Sequence, residues 1–180
     1  MPAGSGGGPG AGSPAREERT LYSLAQIQHL MRVEFNRAHR YRYPVSCMLI
    51  GIDRLGHTRD VYGYEVKERV VELVIQMLMD ATRTSDFLGR TADDCLMAVI
   101  PHTPPEGARI LAERLVQGAA EAAFEVDGEK VPISLSVGLS NNQEGGTMYF
   151  DSLLLAAQGA LDEAVAGGGG AYVERAPGGS

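Results

Sequence analysis

The chain predicts an α+β fold, with helices covering a largely antiparallel sheet of five strands. Two observations carry this. Apolar residues recur at helical spacing in some stretches and fill strand-length runs in others. The order along the chain is helix, strand, helix, hairpin, helix, strand, helix, strand, and strands mixed with helices in this way suggest a sandwich of the two.

The elements follow in order. From Leu21 to Arg42 the positions Leu24, Ile27, Met31 and Phe35 form one helical face, and Pro44 ends the pattern. Val45 to Ile52 is an apolar run of strand length, expected to be buried on both faces. Tyr64 to Ala81 is a long helix with Val66, Val70, Leu73, Val74 and Met77 on one side. Asp86–Arg90 and Cys95–Ile100 read as two strands around a tight turn. Pro104-Pro105-Glu106 opens a helix whose face is Ala108, Leu111, Ala112 and Leu115. Val131 to Leu139 alternates and predicts a half-buried strand. Phe150 to Val165 is helical and stops at the Gly167–Gly170 run, after which Ala171–Glu174 is a candidate edge strand. Residues 1–19 are rich in Gly, Pro, Ser and Ala and predict a disordered tail, as do residues 176–180. One domain is expected over residues 20–175.

Composition narrows the function classes. The 180 residues carry a net charge of −7, which opposes general nucleic-acid binding, because that needs a basic surface to displace phosphate counterions. A local arginine cluster still suits a small anion. No stretch approaches the about 20 apolar residues that cross a bilayer, and no basic-then-apolar leader is visible, so a cytoplasmic location without membrane contact is expected. Cys47 and Cys95 do not make a disulfide framework and read as free thiols. The four histidines lack metal-ligand spacing, and no serine sits in a nucleophile arrangement.

The most informative stretch is Arg83-Thr84-Ser85-Asp86, Phe87-Leu88-Gly89-Arg90-Thr91, the turn Ala92-Asp93-Asp94-Cys95-Leu96, then Met97-Ala98-Val99-Ile100-Pro101. With Arg37-Ala38-His39-Arg40-Tyr41, Asp60-Val61-Tyr62-Gly63, Ala112-Glu113-Arg114-Leu115 and Ser134-Leu135-Ser136-Val137-Gly138, it resembles the GGDEF family of diguanylate cyclases. The resemblance covers residues 20–174. It implies a ferredoxin-like palm fold, a mostly antiparallel five-stranded sheet flanked by helices plus a small hairpin, with the turn between two strands.

At the catalytic positions this chain departs from the pattern that the resemblance implies. Joining two GTP molecules requires divalent metal on carboxylate oxygens. The position of the first metal aspartate holds Gly51. The phosphate-side lysine is Gly56, the guanine-reading asparagine is Arg59, and a second guanine contact is Glu68. Asp53 shares the face of residue 51, one pleat further along. In the turn, Ala92 adds a side chain where glycine lets backbone approach phosphate, and Asp93 brings negative charge toward the polyphosphate path. Only Asp94 matches, and Cys95 is a soft thiol poorly suited to Mg²⁺. No lysine follows Lys130, although the family carries one near Val165. These departures predict a chain that is not an enzyme, with no catalytic residues, no Mg²⁺ site and no cofactor; Asp93-Asp94 then reads as a polar hairpin turn.

The binding positions are filled. Arg83 and Asp86 form the Arg-x-x-Asp of the family's inhibitory site for cyclic di-GMP at matching spacing. Arg114 matches a further arginine, and Arg37 a position used from a neighbouring protomer. Arg90 is expected to support the site. A guanidinium fork suits phosphate and the guanine Hoogsteen edge, and a carboxylate accepts from guanine N1–H and its amine. The expected function is a cyclic di-GMP receptor that signals through a protein partner or a ligand-bridged homodimer. The alternatives are a ligand-independent scaffold and a residual cyclase.

Overall fold

A computed structural model describes residues 19–144 and 149–178. Residues 1–18 of the predicted 1–19 tail, and the final two residues, lie outside the described residues. Strand β1 (Leu21–Ser23) leads into α1 (Leu24–Tyr41), β2 (Val45–Ile52), α2 (Leu55–Tyr62), α3 (Tyr64–Ala81), β3 (Phe87–Arg90) and β4 (Leu96–Pro101). There follow α4 (Pro105–Glu121), β5 (Glu125–Val126), β6 (Glu129–Lys130), β7 (Leu135–Asn141), α5 (Phe150–Ala166) and β8 (Tyr172–Glu174).

The first helix begins three residues later than its apolar spacing predicts, because Ser23 caps it. The Ser23 hydroxyl accepts from Gln26 N at 3.2 Å, and Gln26 Oε1 accepts from Ser23 N at 2.8 Å, a reciprocal capping box. Leu21–Ser23 is thereby freed to pair in parallel with Leu88–Arg90.

The main sheet has six strands, one more than predicted, in the order β1-β3-β4-β2-β7-β8. Its centre is antiparallel: β2 lies between β4 and β7, and β3 continues on β4. Only the two edge pairs, β1–β3 and β7–β8, are parallel. A separate hairpin, β5–β6, turns at Asp127 and Gly128, both with positive φ.

Helices α3 and α4 cover one face, over Met48, Ile50, Leu88, Leu96, Ala98 and Leu139. Helices α1 and α5 cover the other, over Cys47, Leu49, Met97 and Val99. Covering both faces changes the expectation for β7. The predicted half-buried strand is buried at all seven residues, because α4 packs on one side and α5 on the other. Gly138 lets α5 lie against the strand: a Cβ there would stand 2.1 Å from Ala157 O and 2.4 Å from Leu161 N.

The C-terminal expectation also shifts. Ala176–Gly178 continues from β8 with Pro177 buried, and Arg175 N donates to Leu139 O at 2.9 Å. No helix among the described residues is long and apolar enough to cross a membrane.

Candidate functional site

Two turns flank β3, and the sequence-predicted site residues divide between them. The first joins α3 to β3. Helix α3 ends as Thr82 N and its hydroxyl both donate to Leu78 O, at 3.1 and 2.7 Å. Asp86 then closes the turn twice: its amide donates to Arg83 O at 3.0 Å, and its Oδ2 accepts from Arg83 N at 2.8 Å. Asp86 is 9% exposed. Burial pushes its carboxyl above the usual range, with the Arg83 amide, the Arg83 charge and the Arg19 charge pulling the other way. Oδ1 is left without a hydrogen bond among the described residues, and the Arg83 guanidinium is exposed with none either.

The remaining predicted binding residues are not drawn into this turn. Arg114 is exposed on α4, one helical turn before Gly118, which faces Met77 of α3. Arg37 is exposed on α1 with Glu34 3.7 Å away. No hydrogen bond or ion pair joins either to Arg83 or Asp86. Arg90 goes elsewhere altogether, because the pleat at the end of β3 delivers its side chain to the second turn.

That second turn, between β3 and β4, is closed by Thr91 N to Cys95 O at 2.8 Å and Asp94 N to Thr91 O at 3.2 Å. The Thr91 hydroxyl donates to Asp93 Oδ1 at 2.5 Å. Asp94 takes φ 62°, a left-handed conformation that aspartate tolerates in turns. Its carboxylate is held from both sides. Lys67 Nζ lies 2.5 Å from Oδ2, and Arg90 donates to Oδ1 from Nε at 2.9 Å and from Nη2. Lys67 also bonds Glu68 at 2.9 Å, and Arg90 lies 3.7 Å from Glu68. Burial raises the Asp94 pKa, but the Lys67 and Arg90 hydrogen bonds outweigh it and leave the carboxyl below its ordinary range.

Beside this turn lies a cavity of about 450 Å³, lined by Gly51, Asp93, Asp94, Cys95, Gln158 and Leu161 among others. Asp53 does not reach it. Beyond the end of β2, Asp53 accepts from Ser134 Oγ at 2.6 Å, Ser136 Oγ at 2.7 Å and Gly170 N at 2.9 Å, which pins the glycine run to β7. Asp94 is thus held by two cations, and Asp53 by two hydroxyls and an amide. Arg59, at the guanine-reading position, pairs with its neighbour Asp60 at 3.3 Å. Burial first, and then Asp93, pushes the Cys95 thiol up to about 11, and burial pushes Cys47 up to about 12.

Sequence reasoning missed two residues. Lys67 lay on the polar side of a helix, and only the fold brings it to Asp94. Arg19 was read as part of the tail, yet its guanidinium bonds the end of α3 and both ends of the first turn. No periodicity marks a single arginine between a glycine-rich stretch and a strand.

Residues 20–170 match the family model described as "Diguanylate cyclase, GGDEF domain". A diguanylate cyclase of Vibrio cholerae is 31% identical over 137 residues, covering 69% of this chain and 42% of that protein. Diguanylate cyclase A of Treponema denticola is 25% identical over 115 residues, covering 64% of this chain and 30% of that protein. The chain therefore spans less than half the length of these relatives. Among solved structures, the active GGEEF domain of a diguanylate cyclase from Vibrio cholerae aligns with a TM-score of 0.78 at 25% identity, covering 89% of this chain and all of that one. The GGDEF domain of DgcB from Caulobacter crescentus, in complex with c-di-GMP, has the same fold, with a TM-score of 0.77 at 15% identity over 94% of this chain and 99% of that one.

These relatives correct the expectation that the chain is not an enzyme: they are named for an enzymatic activity, and the family is one of enzymes. The expectation counted side chains missing from a motif. Such a count does not show that a site is lost, and the cavity beside the Asp94 turn remains between β2 and α5. The chain belongs to the GGDEF family of diguanylate cyclase domains.

Proposed function

We propose that this domain binds cyclic di-GMP at the Arg83–Asp86 turn, and that occupancy is read through a protein partner or a second copy of the chain. One observation carries the reading. The turn is closed by its own backbone and by one oxygen of Asp86, which leaves the Arg83 guanidinium and Asp86 Oδ1 free of partners among the described residues. A donor fork beside a carboxylate oxygen suits a guanine that carries both acceptors and donors, next to an anionic phosphate. The pair stands out in a chain of net charge −7, where a free arginine supplies the local attraction.

Arg114 and Arg37 enter as additional cations, each exposed on a helix surface. The family resemblance assigns Arg114 to the same ligand and Arg37 to a second copy. Arg90 is committed to Asp94 and supports the hairpin rather than the ligand. The solved DgcB domain in complex with c-di-GMP supports the choice of ligand.

Isothermal titration calorimetry with cyclic di-GMP tests this. Saturable binding by the wild-type chain is expected, weakened at least about tenfold in Arg83→Ala, the scale of a lost charge-assisted hydrogen bond. A wild-type chain that gives no binding heat rejects the proposal. Sedimentation with and without ligand tests the dimer extension, which an unchanged monomer would end.

A further inference from the structure

Arg19 lies two residues before the start of β1, and its guanidinium gathers acceptors from one narrow region. Nη1 donates to Met79 O at 3.0 Å, to Thr82 Oγ1 at 2.9 Å and to Thr82 O at 3.5 Å. Nη2 donates to Arg83 O and, at 3.3 Å, to Asp86 O. The last carbonyls of a helix have no partners within it, and the C-terminal end of the helix dipole is negative, so a cation there satisfies both needs. The same group then crosses to the two residues that bracket the turn. Its planar fork makes this possible, since a lysine ammonium offers no fixed pair of donors at that separation.

We infer that Arg19 is a positioning residue that couples the chain entering β1 to the conformation of the Arg83–Asp86 turn. The clamp acts on the carbonyls of Arg83 and Asp86, so it sets where the Arg83 side chain and the Asp86 carboxyl are presented without touching either group's polar atoms. A shift of the chain before β1 withdraws the clamp and loosens the turn. By linkage, a ligand that orders the turn also tightens the hold on Arg19. The ligand-dependent half of this inference rests on cyclic di-GMP binding at the turn; the clamp itself does not.

The test combines amide hydrogen exchange with titration on the wild-type chain, Arg19→Gln and Arg19→Lys. Arg19→Gln is expected to speed exchange of the amides at residues 82–87, including Arg83 N and Asp86 N, while leaving β2 and β7 protected. It is also expected to weaken cyclic di-GMP binding by about 5- to 50-fold, with Arg19→Lys falling between Arg19→Gln and wild type. Ligand should slow exchange at residues 20–22 in the wild type and not in Arg19→Gln, a transfer that a merely structural arginine would not show. Wild-type exchange at residues 82–87 in Arg19→Gln, or unaltered ligand affinity in a wild type that binds, overturns the inference. A wild-type chain that binds no ligand while Arg19→Gln still loosens the turn overturns the ligand site and leaves the clamp standing.

Discussion

The two turns flanking β3 each hold one buried or half-buried aspartate, and they use it in opposite ways. Asp86 gives one oxygen to a backbone amide and has no ion pair, so burial dominates and its carboxyl is pushed up. Asp94 is buried to a lesser extent but sits between Lys67 and Arg90, and the hydrogen bonds from these two cations reverse the effect of burial. The first turn is closed by the backbone and leaves its arginine free. The second is also closed by backbone bonds, but its carboxylate engages two cations and leaves neither free. The environment of an acid, rather than its place in a motif, decides what it is available to do.

The largest expected effect separates the turns by ligand. Arg83→Ala should weaken cyclic di-GMP binding at least about tenfold, whereas Asp94→Asn should leave it within about twofold, by calorimetry on both variants. Equal losses would mean that the two turns act as one site.

Next comes stability. Asp86→Ala removes the acceptor of the Arg83 amide and is expected to cost about 1–2 kcal/mol in urea denaturation at pH 7, with Asp86→Asn recovering part of it. Asp94→Asn is expected to cost about 1 kcal/mol or less, because its ion pairs are partly open to solvent, and the cost should shrink in high salt.

The smallest effect is the sharpest contrast, because the two acids should respond to pH with opposite sign. Asp94 is held below its ordinary value of 3.8, so its contribution is present above that pH and is lost as pH falls through the folded value. Asp86 is held above 3.8. The folded chain then binds its proton more tightly than the unfolded chain, and stability falls as pH rises through the interval above 3.8. Comparing each asparagine variant with wild type between pH 3 and 7 measures both. The Asp94→Asn deficit should shrink as pH falls below 3.8, and the Asp86→Asn deficit should be greatest at the acid end. Parallel curves would show that the two carboxyls share one environment.

Much of the fold was legible because its signals are local. The spacing of Ile27, Met31 and Phe35, the apolar run from Val45 and the proline opening of α4 each fix an element through nearby residues. The elements that went unread were short. α2 and β1 hold too few residues to show a period, and the small hairpin that the resemblance implied was given no residues. β7 was misjudged because burial on both faces depends on two helices distant in sequence. In the candidate site, Arg83 and Asp86 were singled out by the family resemblance, and the fold puts the Asp86 carboxyl on the Arg83 amide, a contact that i, i+3 spacing in a turn permits. Arg90 was assigned to the wrong turn, because the pleat of β3 and the arrival of Lys67 and Glu68 from α3 decide where its charge goes.

By itself, the amino-acid sequence determined the α+β class, through apolar spacing within each element, and the family resemblance, through motifs in their order along the chain. Only the tertiary structure decided which carboxylates are occupied, that Asp53 belongs to the glycine run, and that Arg19 clamps the first turn. Those outcomes depend on groups up to 117 residues apart, such as Gly170 N and Asp53, and distance in the chain carries no trace of them until the sheet brings them together.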